Sequence, residues 1–216
     1  MTPSIIKQLR ALCPPNRPLQ PHEMRSVAER MATKLRRLLA VDDPTMLEDE
    51  LWKLRWLTIE RQLDIPVSGL SHWTGARWLI ILNADDADTR QRFTLGHELA
   101  HILLHPVTQT AFTDSHGLSA HEHLERTCDY FAGCLLMPRP QLKSAWASGQ
   151  QSLGELANHF NVSRAAVKVR LAQTNLGRPR YARSPQTGYR RASWTHEPII
   201  NIHAINYSNE LEGVVL

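Results

Sequence analysis

The chain has little that would let it cross a membrane, cross-link itself or remain unfolded. Among its 216 residues no apolar run approaches the roughly 20 that a membrane span needs. The Ile5-Ile6 patch is broken by Lys7 and Arg10, which excludes a signal-peptide core. Cysteine is scarce and unpaired: Cys13, Cys128 and Cys134 form no CxxC and no even-numbered framework, as expected in a reducing compartment. Glycine and proline are 10 and 13, too few for a low-complexity chain. These absences point to a soluble cytoplasmic protein with no membrane partner. Its length is one to two domains, enough to bury roughly 70% of the unfolded surface.

Acidic residues are missing from one long stretch. Leu156 to His196 contains no Asp or Glu but carries Arg164, Lys168, Arg170, Arg178, Arg180, Arg183, Arg190 and Arg191. The overall charge of +4 therefore hides an acidic body and a basic C-terminal segment. Such a segment suits an anionic partner, DNA foremost, or serves only as a solvated arm.

The first 60 residues read as helices. Pro21 suits a helix start, and Met24, Val27, Met31, Leu35 and Leu38 follow at three- and four-residue spacing. A second helix is expected after Asp43-Pro44, with Leu47, Leu51, Leu54 and Leu57 on one face. Ile65–Val67 and Arg77–Asn83 read as extended. A helix is expected from near Asp88, with Asp88 and Gln91 at capping-box spacing, to just before Pro106. Ser119 and Glu122 form a second capping box for a helix ending near Leu136, and a loop follows. Leu153–Phe160 and Ser163–Gln173 read as a close helix pair, residues 176–196 as a linker, and Ile199–Ile205 as a final strand.

The chemistry is concentrated in His97-Glu98-Leu99-Ala100-His101. Residues four apart on a helix share a side, so His97 and His101 can offer two imidazole nitrogens to one metal ion. Glu98, beside the first, is placed to act as a general base on water. A third ligand is needed. His105, His116, His121 and His123 are rivals, but Glu125 is the better candidate. It lies on the next helix with Asp129 one turn on, where Asp129 can accept the outer N–H of a ligand histidine.

The stretch Arg90–His105, which includes this motif, resembles the signature of the ImmA/IrrE family of metallopeptidases. So does Glu125–Pro138, Glu-Arg-Thr-Cys-Asp-Tyr-Phe-Ala-Gly-Cys-Leu-Leu-Met-Pro. The likeness runs from about Leu57 to Leu171. It implies zinc held by His97, His101 and Glu125, with Glu98 as catalytic base and one ion per chain. It implies an α+β fold: a mostly helical, zincin-like metallopeptidase with a small sheet beside the active-site helix and a C-terminal helix-turn-helix-like pair. In that fold Trp78–Asn83 is expected at the sheet edge nearest the metal, holding substrate as an added strand. Cys128 and Cys134 replace the family's commoner Ala and Glu and read as packing residues. A tetrahedral oxyanion needs a second donor, for which Tyr130, His105, His121 and His123 are open candidates.

The expected divisions are 1–56, an N-terminal helical region; 57–148, the peptidase core; 149–175, the helix pair packed on that core; and 176–216, a basic linker and tail. In the helix pair, Asn161 supplies a left-handed turn and Ser163 a cap. Ser163, Arg164 and Lys168 would be the contacts to DNA or a partner. The pair reads as part of the body in preference to a DNA reader. The leading function is a zinc endopeptidase acting on a protein partner, which family relatives suggest to be a helix-turn-helix repressor or antitoxin. The alternatives are a toxin on the same scaffold, or a DNA-binding regulator with a sensing or structural metal.

Overall fold

A computed structural model describes residues 4–14, 16–114 and 117–176. The expected strand Ile199–Ile205, the linker, the arginines from Arg178 onward and His116 lie outside them. In order, the elements are α1 (Ile5–Arg10), α2 (Pro21–Leu38), α3 (Leu47–Leu51), β1 (Leu57–Gln62), β2 (Gly69–Trp73), β3 (Trp78–Asn83), α4 (Asp88–Leu104), α5 (Thr108–Ala111), α6 (Ala120–Leu136), α7 (Arg139–Ala147), α8 (Leu153–Phe160) and α9 (Arg164–Thr174). The architecture is mostly helical with one small mixed sheet, hence α+β. No helix among the described residues is long and apolar enough to cross a membrane.

Helix α4 is the axis of the molecule. It is buried nearly all round, from Gln91 to Leu104, as a helix enclosed by other elements must be. The sheet lies on one side and α6 on another, while α2 packs along α6 and buries Met24, Val27, Met31 and Leu35 in the core. Asp88 does not cap α4. The N-cap is Ala87 with no side-chain bond, and Gln91 instead donates to the Asp86 carbonyl at 2.7 Å and accepts from Arg61 at 2.8 Å. The second capping box forms as spaced: Ser119 Oγ accepts from the Glu122 amide at 3.1 Å, and the Glu122 carboxylate accepts from the Ser119 amide at 3.0 Å.

The sheet order is β1-β3-β2, with β1 parallel and β2 antiparallel to β3. Trp78–Asn83 is therefore the central strand, not the edge. It is paired on both sides, and its residues alternate buried (Trp78, Ile80, Leu82) and half-buried (Leu79, Ile81, Asn83), so the apolar run serves one fully covered face and one partly covered face. The edge beside α4 is β2. Two further expectations shift. The helix after Pro44 ends at Leu51, and Leu57 opens β1 in register with Trp78. Ile65–Val67 is a loop between β1 and β2, where Pro66 has no N–H for a ladder. The expected loop after Pro138 contains α7, whose Leu142 and Ala145 are buried.

The pair α8 and α9 is joined at Asn161, which adopts the left-handed conformation at φ 49°. Ser163 Oγ then accepts from the Ala166 amide at 3.1 Å. Leu156, Phe160, Val162 and Val167 belong to the same buried cluster as Leu99 and Phe131.

Candidate metal centre

Helices α4 and α6 cross closely because each is small at the contact. A Cβ placed on Gly96 would lie 3.2 Å from the Ala132 Cβ. That approach sets the next residue of α4, His97, against the polar face of α6. His97 Nε2 lies 3.0 Å from His101 Nε2 and 3.3 Å from Glu125 Oε2, and His101 Nε2 lies 3.3 Å from Glu125 Oε1. Donors bonded at 2.0–2.1 Å to one tetrahedral ion stand about 3.3 Å apart. The three side chains thus fit a divalent ion without rearrangement of the helices.

His97 Nδ1 is 2.9 Å from Asp129 Oδ1, one turn beyond Glu125. Burial alone would lower the His97 pKa, but its bonds to Asp129 and Glu125 push it up to about 10. The Glu125 carboxyl is also penalised by burial, yet both histidines hold it well below the usual range.

Glu98 points to the sheet. Its Oε2 accepts from Ser71 Oγ at 2.8 Å, and both residues are buried. Ser71 is the central residue of β2 and was not marked by any sequence pattern; only the packing of β2 on α4 reveals it. Cys128 is fully buried, as its packing role requires, and its thiol pKa is pushed up by desolvation and by the nearby carboxylates. Its Sγ nonetheless joins one nitrogen each of His97 and His101 in a cluster spanning 4.8 Å. That is looser than the spacing to Glu125.

None of the described rival histidines stands as close to His97 and His101 as Glu125 does. His123 is buried, edge-on to Phe112. His105 is packed against Trp78 at 5.3 Å. His121 Nδ1 stands 3.9 Å from Glu125 Oε1. A cavity of about 610 Å³ opens beside the cluster, lined by Ser71, Trp78, His101, His105, His121 and Glu125 among others.

The residues proposed for DNA stand at the start of α9, where Ser163 lines a second cavity together with Asp129. Ser163 is engaged as the helix cap, while Arg164 and Lys168 are exposed. Arg170, counted in the basic segment, is 1% exposed and donates to the Met137 carbonyl at 3.1 Å, so its charge is not presented to a partner.

A family model, Peptidase_M78, the IrrE N-terminal-like domain, matches residues 56–172. No curated protein matches the chain. Among solved structures it is similar to a Mycobacterium tuberculosis transcriptional regulator, with a TM-score of 0.53 and 19% identity. The likeness covers 82% of this chain and 54% of that one, so this chain spans about half the length of the regulator it resembles.

Proposed function

The chain belongs to the Peptidase_M78 family, a metallopeptidase in general class, and from that premise we propose that it is a zinc-dependent endopeptidase acting on a protein partner. The observation that carries this reading is the convergence of His97 Nε2, His101 Nε2 and the Glu125 carboxylate within 3.3 Å, beside Glu98. A structural zinc site would not require Glu98, and it would usually close its fourth position with a side chain.

When bound, the ion would polarise the scissile carbonyl and acidify water. His97, His101 and Glu125 are its proposed ligands, and Asp129 orients His97 through Nδ1. Glu98, steadied by Ser71, takes a proton from the attacking water and returns it to the leaving nitrogen. The unpaired side of β2 accepts an extended substrate segment as an added strand. A folded domain must therefore open locally to be cut, which favours a flexible segment of one docked partner. A helix-turn-helix repressor is the proposed substrate class.

Glu98→Gln is nearly isosteric and cannot act as a base. It is expected to keep its zinc and lose cleavage by 10²–10⁴-fold or more, the range for removal of a general base. Fragment mapping by mass spectrometry should compare casein with any helix-turn-helix repressor encoded by a neighbouring gene. One or a few cuts in the repressor and little in casein are expected. A metal-loaded Glu98→Gln that cleaves at the wild-type rate removes this mechanism. A second reading, a DNA-binding regulator, draws on the acid-free stretch 156–196 and on the similar protein being a transcriptional regulator.

A further inference from the structure

A carbonyl under attack by water gathers negative charge on its oxygen, and in acyl transfer a preorganised donor aimed at that oxygen is commonly worth 10²–10³-fold in rate. The sequence offers Tyr130, His105, His121 and His123 for this role, and the fold commits two of them elsewhere. The Tyr130 hydroxyl donates to Glu29 Oε2 at 3.2 Å, and its ring lies beneath the guanidinium groups of Arg25 and Arg170. His123 is 2% exposed against Phe112, away from the cavity.

His105 and His121 both line the cavity beside the candidate metal ligands. His105 is held edge-on against Trp78, ring centroids 5.3 Å apart, whereas His121 rides on the same helix as Glu125. His121 stands in the first turn of α6, one turn before Glu125, with its side chain 61% exposed. Its Nδ1 faces Glu125 Oε1 at 3.9 Å. Nε2, on the far side of the ring, is left for a ligand in the cavity. Ser71, which donates to the buried Glu98 carboxylate at 2.8 Å, lines the same cleft from the β2 side.

We propose that His121 is the second oxyanion donor of this site, a catalytic residue contributed by α6; the proposal rests on the peptidase reading above. As the water oxygen bonds to the carbonyl carbon, Glu98 accepts one water proton and the carbonyl π pair moves onto oxygen. An imidazole N–H of His121 donates to that oxygen. When the C–N bond breaks, the pair returns to re-form the carbonyl and the proton on Glu98 passes to the leaving nitrogen.

The test uses two probes with the same peptide side chains on the zinc-loaded full chain. A peptidyl phosphonamidate presents a tetrahedral P–O⁻ where the oxyanion would be, and a peptidyl hydroxamate chelates the metal without that group. His121→Phe is expected to keep one zinc per chain and to weaken the phosphonamidate about 10²-fold, the scale of one lost donor. Hydroxamate binding should stay within about threefold. His105→Phe should leave the ratio of the two affinities unchanged.

Equal weakening of both probes, no weakening, or a selective loss in His105→Phe instead would overturn the assignment. Loss of zinc in His121→Phe would overturn it too, by making His121 a ligand. Zinc-loaded wild type that binds neither probe would remove the peptidase reading itself, and this proposal with it.

Discussion

His97 is engaged on both ring nitrogens, with Asp129 on Nδ1 and the His101–Glu125 pair around Nε2. Its pKa in the metal-free protein, about 10, lies above the ordinary 6.5. A group raised in this way stabilises the fold fully below pH about 6.5 and loses that contribution as pH climbs through its folded value. Chelator-treated protein should therefore melt at progressively lower temperature from pH 6.5 to 10, as followed by scanning fluorimetry. The zinc-loaded form should lack that slope, because a ligating imidazole holds no proton on the metal-facing nitrogen. A flat profile in chelator would show that His97 carries no such proton. The third ligand is tested by Glu125→Ala, which should lose zinc in chelator competition, whereas Cys128→Ala should retain it; the reverse pattern would assign the position to the thiol. The pair His97 and His101, with Glu98, was legible because a helix converts a spacing of four into a shared side. Ser71 was not, since no spacing rule links a strand serine to a helical glutamate 27 residues away.

Two glycines set the distances between elements. Gly96 admits α6 against α4, and Gly69 lets β2 lie on α4, where an added Cβ would meet Thr94 Cγ2 at 2.5 Å and the Ile81 carbonyl at 2.9 Å. Gly96→Val should cost about 1–3 kcal/mol, the usual range for overpacking. Because Glu125 rides on α6, the same change should also lower zinc affinity. Denaturant melts paired with zinc titration check both effects, and lost stability with undiminished zinc affinity would show that the helix separation does not govern the site. Capping residues made α6 and α9 legible, as Ser119 and Ser163 each accept from the backbone three residues on. Helix α7 was hidden by Pro138 and Pro140, which read as loop residues but here stand at its N-terminal end. The place of β3 in the sheet was hidden because strand order depends on contacts with β1 and β2, which its own residues do not encode.

Across the whole molecule, two buried arginines fasten the end of α6. Arg36 of α2 donates to the Leu135 carbonyl at 3.3 Å, and Arg170 of α9 donates to the Met137 carbonyl at 3.1 Å. Cations at a helix C-terminus satisfy its open carbonyls and oppose its dipole. Arg170 also stacks on Tyr130 and lies 3.8 Å from Glu29, joining α9, α6 and α2. Arg170→Ala should destabilise the fold by about 2–4 kcal/mol, as loss of a buried bonded cation and its packing does. A urea melt unchanged within about 0.5 kcal/mol would show that the α8–α9 pair is not secured there. A charge tally cannot register this, since it counts Arg170 with the exposed Arg164 and Lys168 regardless of where the fold places each.

The indole of Trp73 is 51% exposed on β2, and its ring centroid lies 5.6 Å from that of Trp78, which lines the cavity. The strand that steadies Glu98 thus carries its own emission reporter, with a neighbouring chromophore at energy-transfer distance. Were the proposed substrate segment to lie along β2, it would replace water around Trp73 before any bond is cut, and arrival and hydrolysis should register as separate phases of one stopped-flow fluorescence trace.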